Sequence, residues 1–380
     1  MDLVIAHPFL HQMGGGERVV IEIAKKFNPV IYSVVYEPEK TFPEFREFDI
    51  RLLPKTTLEM PFFFLKNDPR RFNAINAGFR YYLTKIKHDY DVINAQGTPS
   101  EWIRNKNERV CWYVHSPNRE AFDLRKWRMA QLSYPKKALN SALIEIFKNI
   151  ESGVVPKIER ICTNSEVTNE RIKKYLGRTD AKVIHPGVDP KEFECKSYDK
   201  FFFYPSRFVP EKRFELVIDS FKQFSKKHKN WKLVLAGFLH KNKRELAYLG
   251  ELKSLSKDQN IEFIFNPSRE ELNNLYSTCY STLFAAINED WGLIPLESMA
   301  SCKPCISVNE GGPRYSIEDK KTGFLIDTLE EMSEKMSYLA ENPDITEKMG
   351  KEGRKRVLEK YTWKIFLDEL EKEFNKLKKS

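Results

Sequence analysis

The chain has 380 residues, of which 41% are hydrophobic and 31% charged. That length fits two domains, each able to bury its own core, and excludes a short binding module or peptide hormone, while the composition is globular rather than disordered or fibrous. Sixty-three Lys plus Arg against 54 Asp plus Glu leave a net charge of +9, which favours anionic partners without naming them.

Short β-branched or aromatic runs alternate with longer helical patterns, the signature of α/β architecture with parallel sheets. The first series of predicted strands is Leu3 to Ala6, Val30 to Val35, Asp91 to Ala95, Val110 to His115, Arg160 to Asn164 and Lys182 to His185. The second is Phe201 to Tyr204, Lys232 to Ala236, Ile261 to Phe265, Ser281 to Ala285, Cys305 to Val308 and Gly323 to Ile326. Two series imply two doubly wound units, with the boundary expected near residue 190, after Pro186-Gly187-Val188-Asp189-Pro190, and a polar linker over Lys191 to Lys200. Two helices carry apolar residues at helical spacing: Phe72, Ile75, Phe79, Tyr82, Leu83 and Ile86, and later Trp363, Phe366, Leu367, Leu370, Phe374 and Leu377.

No run approaches the eighteen or so apolar residues of a membrane span. The start, Met1 to His7, reads as a strand without the basic region of a secretory signal, so the expected compartment is the cytosol. Cys111, Cys162 and Cys279 lie in apolar segments as small buried residues do, and Cys302-Lys303-Pro304-Cys305 has no second pair or nearby His to complete a zinc set.

After the first strand, Met13-Gly14-Gly15-Gly16-Glu17-Arg18 precedes a helical pattern. Such a strand, glycine turn and helix start bring bare N–H groups to a place an anion can reach, though a tight turn without ligand has the same sequence. His115 ends a strand, as a site residue or a structural histidine can, and His7 is placed similarly. Asp89-Tyr90-Asp91 resembles a D-x-D metal pattern but falls at a strand start, and is discounted. Arg207 and Lys212 follow the first strand of the second series, where α/β sheets bind ligands, and two cations there could neutralise a diphosphate; a solvated loop is the plain alternative. In Glu289-Asp290-Trp291-Gly292-Leu293-Ile294-Pro295-Leu296-Glu297, Pro295 suits a first helical turn, so a helix is expected from Leu296 with Asp290 to Ile294 as the loop before it. Glu289 and Glu297 would then flank the positive end of a helix dipole, a pattern suited to the diphosphate and hydroxyls of a sugar nucleotide, or to acidic residues merely favoured near a helix start.

The ordered set of Gly14 to Arg18, Tyr113-Val114-His115-Ser116-Pro117, Asn164-Ser165, Pro186 to Asp189, Ser206-Arg207 with Glu211-Lys212, Ala236-Gly237, the E-x7-E of Glu289 to Glu297, Gly311-Gly312-Pro313 and Thr322 to Leu325 resembles the retaining GT-B glycosyltransferases of family 4, over nearly the whole chain. The variants around His115 and Glu289 are similar to a subgroup containing mannosyltransferases of lipid-linked and cell-surface glycans. The resemblance implies two Rossmann-like domains facing across a cleft: an acceptor-side domain, 1–190, onto which a C-terminal helix, 363–380, packs back, and a donor-binding domain, 191–362.

By the same resemblance Arg207 and Lys212 hold the donor diphosphate, Glu297 the ribose, and Glu289 the transferred sugar. Gly15, Gly16, Gly292, Leu293 and Ile294 cradle phosphate or sugar, and His115 touches the sugar near the reacting carbon. Neither a metal nor a cofactor is expected; the partners are a GDP- or UDP-linked sugar and a glycan or lipid-diphosphate-linked acceptor. Tyr315 stands where the family commonly has Glu, and Cys302 where Gly is usual. An epimerase or phosphorylase on the same fold, and a basic polyanion-binding protein, are the rival readings; no RRM, KH or zinc-finger pattern supports nucleic acid as a partner. The whole excess charge lies in 51–90, at +5, and 351–380, at +4. The first includes Phe62-Phe63-Phe64 beside Lys66, Arg70 and Arg71. These segments are either solvated helix faces or a peripheral contact with an anionic membrane.

Overall fold

The computed structural model describes residues 1–58, 69–130, 132–239 and 243–378. It divides into two compact units, one of Met1–His185 with Phe366–Ser380 and one of Pro186–Ile365. The sequence suggests breaks at 190 and 362 instead. The Pro186 to Asp189 turn stays with the second unit because Val188 N–H donates to Tyr361 O at 2.9 Å and Trp363 N–H to Val188 O at 3.3 Å.

The first unit holds β1 (Leu3–Ala6), β2 (Phe9–Leu10), β3 (Val30–Ser33), β4 (Val35–Tyr36), β5 (Ile50–Leu52), β6 (Val92–Gln96), β7 (Val110–Val114), β8 (Arg160–Thr163) and β9 (Lys182–Val183). Seven of these form a sheet ordered β5-β3-β1-β6-β7-β8-β9, and β2 pairs with β4. The expected strand Val30 to Val35 is thus two strands in different sheets. Val34 and Val35 both donate to Pro8 O, which draws the chain out of the larger sheet. The edge strand β5 escapes sequence reading because it is only three residues long, with Arg51 at its centre.

In the second unit, β10 (Phe201–Pro205), β11 (Lys232–Gly237), β12 (Ile261–Phe265), β13 (Ser281–Phe284), β14 (Cys305–Val308) and β15 (Gly323–Ile326) form a parallel sheet ordered β12-β11-β10-β13-β14-β15. In both large sheets the order reverses beside the first strand, at β1/β6 and at β10/β13, and these switch points are where open α/β sheets hold ligands. One face of the second sheet packs on an aromatic cluster of Phe202, Phe208, Phe214, Phe221, Phe224 and Trp231. Each buried Phe side chain there contributes about 1.5–3 kcal/mol of hydrophobic stabilisation.

The two amphipathic helices turn their apolar faces inward. In the helix Pro69–Leu83, Ile75 and Tyr81 are buried, while Leu83 is 40% exposed, so the buried stripe runs through Tyr81 and not Leu83. In the helix Trp363–Lys378, Phe366, Leu370, Phe374 and Leu377 are buried, and Phe366 and Phe374 meet Tyr113 and Phe27 edge-on. Its cations Lys376 and Lys378 pair with Glu373 and Asp91. Neither buried stripe is available to a membrane. The Phe62-Phe63-Phe64 cluster and Lys66 lie outside the described residues. No helix among the described residues is long and apolar enough to cross a membrane.

Cys302 does not pair with Cys305, which is a free buried thiol in β14; it forms a disulfide with Cys195. The sequence offers no hint of this partner, because Cys195 falls in the stretch expected to be linker. Cys302 has φ 58°, the left-handed conformation that explains why glycine is usual at this place. Cys111 and Cys162, side by side on β7 and β8, are reduced, with sulfurs 3.8 Å apart.

Candidate functional site

Each switch point carries a cluster of polar side chains. In the first unit the helix Gly15–Phe27 begins sooner than expected: Gly14 is its N-cap without a side-chain cap, so Gly15 and Gly16 lie in its first turn and not in the preceding loop. Their N–H groups have no carbonyl one turn back to bond. His115, at the end of β7, faces this turn; a Cβ on Gly16 would stand 3.8 Å from its ring. The His115 ring shares a hydrogen bond of 2.8 Å between Nε2 and Gln96 Oε1, and its carbonyl accepts from Asn164 Nδ2 at 2.8 Å. Burial, with His7 as a second cause, lowers its pKa to about 4. The neutral ring therefore donates from Nε2 to the amide oxygen, which leaves Nδ1 as an acceptor.

His7 Nδ1 contacts Gln96 O at 3.1 Å, and its Nε2 lies 3.9 Å from Glu17 Oε1. Glu17 also accepts from Gln12 Nε2 at 3.0 Å. Burial raises the Glu17 pKa, but hydrogen bonding and charge from His7 and the hydrogen bond from Gln12 outweigh it and the net shift is downward. Gln96, Gln12 and Glu17 were missed as site neighbours; buried polar residues on or beside strand ends were the available signal. Asp91, of the discounted D-x-D, accepts from Lys378 Nζ and Asp2 N–H, both at 2.9 Å. Among the described residues no group of three His, Cys, Asp or Glu could hold a metal ion.

In the second unit Lys212 Nζ donates to Glu289 Oε2 at 2.5 Å, across the β10/β13 switch point. Arg207 is exposed, and among the described residues its guanidinium has no hydrogen-bond or ion-pair partner. Arg213 was not anticipated. It takes a left-handed conformation (φ 50°), donates through Nε to Ala285 O at 2.6 Å, and pairs with Glu310 at 2.9 Å. Glu310 in turn accepts from Asn288 N–H at 3.2 Å. These bonds tie the Arg207 to Arg213 loop, the Glu289 loop and the Glu310 turn together. The glycine pair has a related purpose: Gly311 has φ 64°, a Cβ there would lie 2.2 Å from Glu289 O, and Gly312 N–H donates to that oxygen at 2.8 Å.

The helix after Glu289 spans Leu293–Ala300, three residues earlier than expected, with Gly292 as N-cap at φ 85° and no side-chain cap. Pro295 is its third residue, and Glu297 lies in the second turn rather than the first. The N–H groups of Leu293 and Ile294 head this helix, at the positive end of its dipole. Glu297 accepts from Arg269 Nη1 at 3.1 Å and Tyr276 O–H at 2.6 Å. Burial alone would lower the Arg269 pKa, but Glu297 and Glu192 outweigh it and raise it. Tyr315 packs, partly buried, against the cluster that contains Trp291 and Leu296.

Residues 13–192 match the Glycosyltransferase Family 4 family, and residues 188–356 match Glycosyl transferases group 1. The Alpha-1,3/1,6-mannosyltransferase ALG2 of Dictyostelium discoideum is 25% identical over 426 residues, covering 97% of each chain. That of Mus musculus is 26% identical, covering 97% of this chain and 95% of its own. Among solved structures, Anabaena Alr3699/HepE in complex with UDP-glucose has a TM-score of 0.74 at 15% identity and covers 98% of each chain. Sucrose-phosphate synthase from Thermosynechococcus elongatus has a TM-score of 0.77 at 15% identity over 99% of each.

Proposed function

The chain belongs to the GT-B fold glycosyltransferases, which move a sugar from a nucleoside diphosphate donor to an acceptor, and on that premise we propose a retaining hexosyltransferase acting on a glycan or lipid-diphosphate-linked acceptor. Mannose is the favoured sugar, since the relatives similar over nearly the whole chain are mannosyltransferases by name. The Lys212–Glu289 pair at the switch point carries the assignment of the donor site. Lys212 and the exposed Arg207 neutralise the departing diphosphate, while Glu289 and Glu297 accept hydrogen bonds from hydroxyls of the sugar and ribose. The N–H groups of Leu293 and Ile294 after Gly292 bind the phosphates, and within the first unit Gly15, Gly16 and His115 form a cluster of their own suited to phosphate or sugar.

A carboxylate whose charge is held by a lysine is better suited to hydrogen bonding than to nucleophilic attack. Retention then follows from front-face substitution. The bond from the anomeric carbon to the diphosphate breaks, the acceptor oxygen bonds to the same face, and the diphosphate takes the acceptor proton. Positioning and stabilisation of the leaving group supply the rate. The test is a panel of GDP- and UDP-linked sugars scored by release of nucleoside diphosphate, with lipid-diphosphate-linked and free glycan acceptors. Absence of release with every donor and acceptor would overturn the reading.

The acceptor's membrane is met through the basic excess of 51–90 and 351–380. The apolar stripes of the two amphipathic helices are buried, so this contact is electrostatic and weakens with salt. Failure to co-sediment with anionic liposomes at low salt would remove it.

A further inference from the structure

Arg213 follows Lys212 directly and is the N-cap of the helix Phe214–Ser225, with φ 50° and ψ 50°. Glycine takes that conformation freely, whereas a side chain makes it costly. A second cost lies at the guanidinium, whose Nη2 is buried without a hydrogen-bond partner among the described residues. A cation needed only for solubility would bear neither. Backbone strain of this kind persists where the surrounding structure imposes it, and it clusters at functional sites.

What the side chain does hold is the frame around the Lys212–Glu289 pair. Its Nε donates to Ala285 O at 2.6 Å, just past the end of β13, and its Nη1 pairs with Glu310 Oε1 at 2.9 Å. The other Glu310 oxygen accepts from the N–H of Asn288, the residue before Glu289, at 3.2 Å. On the opposite side, Lys212 O accepts from the buried Tyr204 O–H at 2.5 Å, and Ile287 N–H donates to Glu211 O at 3.1 Å. The segments carrying Lys212 and Glu289 are therefore both fastened to one guanidinium, within one residue of each member of the pair.

We propose that Arg213 is a positioning residue for sugar transfer: forked between Ala285 O and Glu310, it sets the distance between Lys212 Nζ and Glu289 before a donor arrives. It acts through that pair and touches no reacting atom. This deepens the glycosyltransferase reading and rests on it for the reaction.

The pair is first measured without substrate. Urea midpoints of the full chain carrying Lys212→Met, Glu289→Gln or both are non-additive while the two groups touch. In an Arg213→Gly background, where glycine keeps the left-handed backbone, the two shifts become additive. Release of nucleoside diphosphate by Arg213→Gly falls on the order of 100-fold in kcat. Arg213→Lys does not restore it, because one ammonium replaces the two guanidinium nitrogens that make the fork. Glu310→Ala removes the other half of the clamp and gives the same two losses, so it serves alone if Arg213→Gly does not fold. Loss of the coupling without loss of kcat, loss of kcat with the coupling intact, or loss of neither overturns the proposal, as does full activity in Arg213→Lys. Coupling that disappears as expected, in a protein whose wild type releases no nucleoside diphosphate from any donor, shows instead that the functional reading has failed while the clamp stands.

Discussion

Gly311→Ala tests whether the glycine turn exists to hold Glu289 in place. A Cβ at Gly311 would lie 2.2 Å from Glu289 O and 2.7 Å from Glu289 N, against ordinary contact at 3.4 Å and beyond. The neighbour is backbone and cannot swing away, so the Glu289 segment must retreat by about 1 Å, a misplacement that costs on the order of 100-fold in rate. The left-handed conformation adds about 1–2 kcal/mol for a residue with a Cβ. Steady-state release of nucleoside diphosphate should therefore show kcat about 100-fold lower, with Tm lowered by several degrees. Gly250→Ala is the control: that glycine lies in the helix Lys243–Leu255, where an added methyl would meet nothing within 4 Å, and its substitution should leave kcat unchanged. If Gly311→Ala turned over within about threefold of wild type, the claim that this turn positions a catalytic carboxylate would be refuted.

Lys212→Met and Glu289→Gln should each lower kcat by about 10²–10³-fold, and the double variant should be little worse than either, because the two groups act as a pair; additive losses in a double-mutant cycle would contradict this. The Cys195–Cys302 disulfide closes a separation of 107 residues, worth about 4–5 kcal/mol by the chain-entropy argument. Cys302→Ser, or wild type under reductant, should unfold at matching, lower temperatures, and an unchanged Tm would refute the stabilising role. Glu101 and Glu151 are buried, and burial pushes both carboxyl pKa values up, with Glu151 reaching about 8 and adding to the rise at Glu101. The contribution of Glu151 as a neutral acid is complete below the ordinary value of 4.5 and is lost as pH rises through about 8. Urea midpoints measured from pH 6 to 9 should fall for wild type and stay flatter for Glu151→Gln; parallel curves would show that Glu151 does not titrate there.

Much of the candidate site in the second unit is legible because it depends on residues close in sequence to strand ends. Arg207 and Lys212 follow β10, and Glu289 follows β13, so the alternation of apolar runs and helices already assigns them to the carboxyl edge of a parallel sheet. What spacing along the chain does not reveal is who pairs with whom. Lys212 and Glu289 meet only because β10 and β13 are neighbours at the switch point. Arg213 reads as one more surface cation until its bonds to Ala285 and Glu310 are seen. The start of the helix carrying Glu297 was displaced for a local reason: Pro295 marks a first turn, but the positive φ of Gly292 sets where the turn begins.

The sequence by itself determined the α/β class, the two series of strands, the polar candidates at their ends and the location of the surplus charge, since these follow from periodicity and composition. Tertiary structure alone decided that the apolar stripes of two amphipathic helices are core, that Cys302 bonds to Cys195 and not to Cys305, and that His115 is neutral. Each of these depends on which distant segments share a surface. Burial and contact set the free energy of a charge, a thiol or an apolar stripe, and neither is a property of local sequence.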